Sequence, residues 1–347
     1  MTEAEGAEPR RRPSLVEAIK GLGAQMMPRG TGPEHANSDN TPPDTQNVAN
    51  SQPAGATRRG GQLPLRRCPS PVNSASAALA ADAGVVGNSW IYAASAVGLS
   101  HALEGVRRED AYAADAVNDT NCVIAVGDGL GSTANASVAS TAAVLTFTAS
   151  VCRANSAAGS WENTARTAVR EVNQQLYAVQ ERSIPTAPGA GPATASQRGK
   201  SMAPPKSTLT GFVLRHDGER SKLYWAAYGD SPLLLLSLST NTWQWVSGQP
   251  TNPPTAATPA LPGDERRLQF GSLALQPDQV VVAASDGVGD AIAMAPKDFA
   301  KALAEAWHTQ VSAAKFATLL DFEIGGLNDD RTIVMAKGIT PGMFESQ

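Results

Sequence analysis

The 347-residue chain is poor in cysteine, in aromatic side chains and in charge, and each shortage closes off a class of protein. Its three cysteines, Cys68, Cys122 and Cys152, are odd in number and form no CxxC spacing. That argues against a disulfide framework and against a thiolate zinc site, and points to a reduced compartment. The four histidines show no HxxxH or HxH spacing, so a histidine-based metal site has no support. A net charge of -4 gives no general attraction to nucleic acid or to an anionic membrane. No stretch reaches the roughly 18 consecutive apolar residues of a membrane span. Residues 1–12 carry charge without an apolar run behind them, unlike a signal peptide. A cytoplasmic location is therefore expected. Also missing are the GxSxG elbow of a serine hydrolase and the Lys-Ser/Thr that would turn Gly189-Ala190-Gly191 into a nucleotide loop.

What is abundant is glycine, 31 residues, and proline, 24, and they are unevenly spread. Residues 28–71 are Pro, Gly, Asn, Ser, Thr and Ala with almost no aliphatic side chains, too little apolar surface to offset chain entropy. Residues 1–87 are thus expected to be a disordered N-terminal tail. One island, residues 14–23, departs from this: Ser14 can cap a short helix with Glu17 in the capping-box position, and Leu15, Ile19 and Leu22 would share a face. It reads either as a transient helix or as a docking peptide for a partner.

A folded domain is expected over residues 88–340, where the hydrophobic pattern changes. Apolar, β-branched runs at 90–97, 122–126, 208–215, 222–228, 233–238, 243–246, 280–284 and 331–337 predict strands. Small-residue or amphipathic stretches at 136–152, 161–180, 296–308 and 311–322 predict helices, the second capped by Ser160. Pro-rich segments at 184–205 and 251–263 predict surface loops. This order implies an α+β fold, a four-layer αββα sandwich of two antiparallel sheets flanked by helices.

Four segments place carboxylates at strand ends or in the turns beyond them: Arg108-Glu109-Asp110, Asp128-Gly129-Leu130-Gly131, Ser285-Asp286-Gly287-Val288-Gly289-Asp290 and Asn328-Asp329-Asp330-Arg331-Thr332. Any single Asp-Gly is an ordinary turn. Carboxylates gathered at buried strand ends are costly unless a cation sits among them, and hard divalent ions such as Mg²⁺ and Mn²⁺ take oxygen ligands of this kind. A glycine after the aspartate allows a sharp turn that brings its own carbonyl toward the ion.

Together with Gly229-Asp230-Ser231 and Ser207-Thr208-Leu209, these motifs resemble, in order and over about residues 90–337, the metal-dependent Ser/Thr protein phosphatases of type 2C, in their divergent bacterial branch. The resemblance implies hydrolysis of phosphoserine or phosphothreonine in proteins by attack of a hydroxide that bridges two Mn²⁺ or Mg²⁺ ions, with a third ion as an option. It implies that Asp128 bridges the metals and the Gly129 carbonyl serves one of them. Asp286 and Asp329 complete the other shell, Glu109 and Asp110 bind directly or through water, and Asp290 serves a third ion. The family's ligand stands three residues before the Thr, here Thr332, which implies Asp329, with Asp330 the alternative. A phosphoprotein substrate, an opposing Ser/Thr kinase and a monomeric state are further implications, with no nucleic-acid or membrane partner.

The sequence departs from the family at the phosphate grip. Gly105 stands where an arginine is usual, so Arg107 and Arg108 are candidates for that role, with solvated surface charge as the alternative for both. His101 is a candidate for phosphate contact or proton donation, or a plain hydrogen-bonded histidine. Leu130 stands where many eukaryotic members carry histidine. These departures leave a second function open, a catalytically weak or inactive phosphatase-like regulatory module.

Overall fold

The computed structural model describes residues 78–133, 135–154, 160–183, 203–218, 220–250 and 258–339. The expected helix at 14–23, nearly all of the expected tail and most of the 184–205 loop lie outside the described residues.

Eleven described strands form two sheets. They are β1 (Leu79–Val86), β2 (Ser89–Ala96), β3 (Ala111–Ala116), β4 (Cys122–Gly127), β5 (Leu209–Asp217), β6 (Arg220–Tyr228), β7 (Leu233–Ser237), β8 (Thr242–Ser247), β9 (Gln269–Leu275), β10 (Gln279–Ala284) and β11 (Arg331–Gly338). One sheet runs β1-β2-β11-β10-β7-β8 and the other β3-β4-β5-β6-β9. Every pairing is antiparallel. The described helices are α1 (Leu99–Glu104), α2 (Ala136–Ala154), α3 (Trp161–Ser183), α4 (Asp286–Met294), α5 (Pro296–His308) and α6 (Ala313–Ala317).

The sheets face each other, and alternation along each strand divides the core in three. Ile91, Ile124, Phe212, Leu235, Val281 and Val334 fill the space between the sheets. Their neighbours Tyr92, Leu234, Val282 and Met335 point outward to meet α4, α5 and α6. On the other side Val123 and Val213 meet Val144 and Phe147 of α2 and Val172 and Leu176 of α3. Strands buried on both faces read as unbroken apolar runs, which is why Leu233–Leu236 and Val280–Val282 show no polar alternation. This is the expected αββα sandwich.

The expected boundary at residue 87 needs correction: β1 occupies part of the assigned tail and pairs with β2 from Leu79↔Ala96 to Val86↔Ser89. Its sequence LAADAGVV is dominated by alanine, a weak strand former, and its stability comes from the neighbouring strand. The alanine-rich β3, AYAADA, was invisible for the same reason. α2 is long and apolar enough to cross a membrane, but it lies between sheet and helix, with alanines Ala139 and Ala143 fully buried. The expected 311–322 helix is shorter, α6 followed by a 3-10 turn at Thr318–Leu320. Ser160 accepts from the Asn163 amide at 3.3 Å, as expected of a cap.

Candidate metal centre

Antiparallel order brings the C-terminal ends of β4, β6 and β10 and the N-terminal ends of β3 and β11 to one end of the sandwich. Each of these ends carries an aspartate: Asp128, Asp230, Asp286, Asp110 and Asp329. A cleft of about 240 Å³ opens there, lined by His101, Glu109, Asp128, Gly129, Asp230, Asp286 and Asp329, among others. Carboxylate oxygens of Asp128, Asp230 and Asp286 lie within 4.8 Å of one another.

Each acidic turn is held by a specific partner. The Asp128 amide donates to Thr208 Oγ1 at 3.1 Å, the Thr208 amide returns a bond to the Asp128 carbonyl at 2.8 Å, and Thr208 Oγ1 meets Ser231 Oγ at 2.7 Å. The Ser-Thr-Leu and Gly-Asp-Ser motifs are thus one brace behind Asp128. Asp286 opens α4, whose capping residue Ser285 exchanges bonds with Thr332 at the start of β11: Ser285 N to Thr332 O and Thr332 N to Ser285 Oγ, both 2.9 Å. Gly129 is required by close approach, since a Cβ there would lie 2.4 Å from the Ala136 carbonyl oxygen.

This geometry perturbs the carboxyls strongly. Burial first, then the Asp330 and Asp286 charges, push Asp110 up to about 8 against hydrogen bonds from Ser285 and Thr332. Burial, followed by Asp329, Asp230 and Asp290, raises Asp286 to about 7. Asp128 rises well above its ordinary value through burial and then the charges of Asp110, Asp286, Asp329 and Asp230. Like charges in a dry site oppose ionisation unless a cation is present. Asp110 Oδ2 and Asp230 Oδ1 are buried without a hydrogen-bond partner among the described residues. All-oxygen donors with orphaned, desolvated atoms fit a hard divalent ion.

The acidic doublet before β11 divides its labour. Asp330 is buried; its Oδ1 accepts from the Gly98 amide at 2.7 Å and its Oδ2 from the Glu109 amide. Its Oδ1 also lies 3.1 Å from His101 Nδ1. Asp329 is exposed and lines the cleft. Asp290 is half-buried and raised by burial and then by Asp230, but stands one turn along α4, outside the cleft lining.

The candidates for the phosphate grip separate sharply. Arg108 is 3% exposed and donates to Ser95 Oγ and, at 3.0 Å, to the Asp110 carbonyl. It is a strut under the acidic pair, and its assignment to the phosphate is corrected: an arginine whose donors are used inside the core cannot reach the cleft. Arg107 is exposed and does not line the cleft. Gly105 caps α1 in the left-handed conformation, φ 67°, which disfavours the arginine of the family pattern. His101 does line the cleft. Burial alone lowers its pKa, but Asp330, Glu109 and Asp329 outweigh that and raise it overall. Asp230 was legible only as part of the Gly-Asp-Ser motif and was not assigned to the site; the structure places it beside Asp128 and Asp286, with Oδ2 accepting from Thr258 Oγ1 at 2.6 Å.

The protein phosphatase 2C family model matches residues 97–321. The chain belongs to the protein phosphatase 2C family. Among solved structures, a bacterial serine phosphatase is 15% identical, covering 72% of this chain and 98% of its own, with a TM-score of 0.51, a likeness of fold. The Mycobacterium tuberculosis serine/threonine phosphatase PstP/Ppp is 20% identical over 73% of this chain and 99% of its own, at a TM-score of 0.47. The catalytic domain of PstP, in a structure with two manganese ions, is 19% identical over the same shares, also at 0.47. No curated protein matches this chain in sequence. The acidic motifs of this chain converge on one cleft at the ends of the two sheets.

Proposed function

We propose that this 2C-type domain hydrolyses phosphoserine and phosphothreonine in proteins with two divalent cations, Mn²⁺ or Mg²⁺. Asp128, the Gly129 carbonyl, Asp286, Asp329 and the Glu109–Asp110 pair would hold them, with Asp230 added to the set and Asp290 near enough to serve a third. The observation that carries this reading is the convergence of Asp128, Asp230 and Asp286 within 4.8 Å in a cleft whose lining contains no Arg or Lys among the described residues. Bound divalent ions would supply what the side chains lack: charge compensation for the phosphoryl group and a lowered pKa for the attacking water.

The chain's own residues bind, orient and hold protons. The Thr208–Ser231 brace fixes Asp128, and the Ser285–Thr332 exchange fixes Asp286, so the acidic cradle is preorganised. Asp330 engages His101 at Nδ1, leaving Nε2 as the atom from which a proton would pass to the leaving oxygen. Arg108 holds the Asp110 main chain in place.

On the same footing, the domain would act as a monomer in the cytoplasm, opposing a Ser/Thr kinase.

The test is turnover of para-nitrophenyl phosphate and a phosphothreonine peptide by the purified chain, in Mn²⁺ or in EDTA, beside Asp128→Asn. Activity in Mn²⁺, lost in EDTA and in the variant, is expected. Equal rates for wild type and Asp128→Asn would sink the reading.

A further inference from the structure

A second cleft, of about 470 Å³, lies at the far end of α4 from Asp286, outside the metal centre. Its walls are Trp243 and Trp245 of the edge strand β8, Gln249, and Ala293, Pro296 and Lys297 at the α4–α5 junction. The two tryptophans are two residues apart on one strand and so share a face. Both are half-buried, and Trp243 Nε1 is anchored on the Pro296 carbonyl at 3.1 Å. Ala293 and Lys297 are exposed. Rigid aromatic walls with a few polar groups at the edge suit an apolar or proline side chain of an extended peptide.

Two continuities tie this groove to the catalytic cleft. Asp286, Asp290 and Ala293 are spaced i, i+4 and i+7, one stripe along α4, so the face that presents Asp286 to the metal centre presents Ala293 to the groove. The second link lies just after β8, where Gln249 and Pro250 line the groove. Just before them Gly248 is packed on the Asp230 main chain, where a Cβ would lie 2.8 Å from the Asp230 carbonyl oxygen. A rise of about 1.5 Å per residue puts Ala293 roughly 10 Å from Asp286. An extended peptide covers that distance in about three residues.

We propose that this groove is a substrate-docking subsite of the same phosphatase, taking an apolar residue, leucine or proline, about three residues from the phosphorylated serine or threonine of the protein substrate. The inference rests on the phosphatase reading. It makes the tryptophan groove, and not a cationic grip in the cleft, the part of the surface that selects among phosphoproteins. Lys297 at the rim adds preference for an acidic residue beyond the apolar one.

The experiment uses the full chain with Mn²⁺, para-nitrophenyl phosphate, and phosphothreonine peptides that are all-alanine or carry leucine or proline three or four residues to either side. Wild type is expected to favour one apolar-flanked set over the all-alanine peptide by about tenfold in kcat/KM, the discrimination of a single apolar contact. Ala293→Arg, which fills the exposed floor of the groove, is expected to erase that preference when read against para-nitrophenyl phosphate turnover of the same preparation. Trp245→Ala should do the same, with thermal unfolding verifying that each variant is folded. Mn²⁺-dependent turnover without any preference among the peptides, or a preference that survives Ala293→Arg, overturns the docking subsite alone. No Mn²⁺-dependent turnover of para-nitrophenyl phosphate by wild type overturns the phosphatase reading and the subsite with it.

Discussion

Arg108 donates a hydrogen bond to the main-chain carbonyl of Asp110 at 3.0 Å, from a position 3% exposed, so the cation nearest the acidic pair in sequence is spent beneath it. The arginine that should serve the phosphate is therefore absent from the cleft lining among the described residues, and His101 is the only basic side chain there. The contrast with Arg107, its exposed neighbour, is testable. Arg108→Met should lower unfolding free energy by about 1–3 kcal/mol through the Asp110 carbonyl it leaves without that donor. Arg107→Ala should stay within about 0.5 kcal/mol of wild type. Chemical denaturation of both variants decides it, and equal stabilities would contradict the strut.

The two aspartates before β11 should also part company. Asp330→Ala removes the acceptor of the Gly98 and Glu109 amides and should destabilise the metal-free chain by about 2–3 kcal/mol. Asp329→Ala should leave metal-free unfolding almost unchanged and weaken Mn²⁺ activation instead. Thermal unfolding in EDTA, paired with a Mn²⁺ titration of activity, separates them; the reverse pattern would move the ligand to Asp330.

Stability of the metal-free chain should fall with rising pH. Asp110 and Asp286 titrate near 8 and near 7 when folded, against an ordinary 3.8. A carboxyl raised on folding stabilises fully below its unfolded value, and that contribution is lost as pH climbs through the folded value. The melting temperature in EDTA should thus drop between about pH 5 and 8. Mn²⁺ added at pH 7.5 should restore it, with protons released on binding. A melting temperature that climbs over that window in EDTA would remove the buried-carboxylate account.

Asp230, absent from the motif-based ligand set, should matter for metal. Asp230→Asn is expected to raise the Mn²⁺ concentration for half-activation by about tenfold or more, and Thr258→Val, which removes the bond to Asp230 Oδ2, by less. Metal titrations with para-nitrophenyl phosphate measure both. An unchanged titration for Asp230→Asn would take this residue out of the metal centre.

Much of the fold was readable because both sheets are buried on both faces. The central runs Leu233–Leu236 of β7 and Val280–Ala284 of β10 are unbroken apolar sequence, as strands covered on both faces by a second sheet and by helices require. What escaped were β1 and β3, whose alanines carry little strand preference and which exist by pairing with β2 and β4, and β9, a partly exposed edge strand that pairs with β6. α4 escaped too: nine residues beginning Asp-Gly-Val-Gly read as a turn, and its helix is held by packing of Val288 and Ile292.

The gathering of carboxylates was legible in the sequence except at Asp230, since acidic groups at the ends of apolar strands are costly together without a cation, and spacing along the chain preserves that signature. Which basic residue serves the phosphate was not. Arg107 and Arg108 are adjacent in the chain and identical in chemistry, and only the tertiary packing of Ser95 and the Asp110 carbonyl around one of them removes it from the cleft. Linear sequence records which groups are present; the direction a side chain takes depends on neighbours brought from distant segments, and that decision belongs to the folded structure.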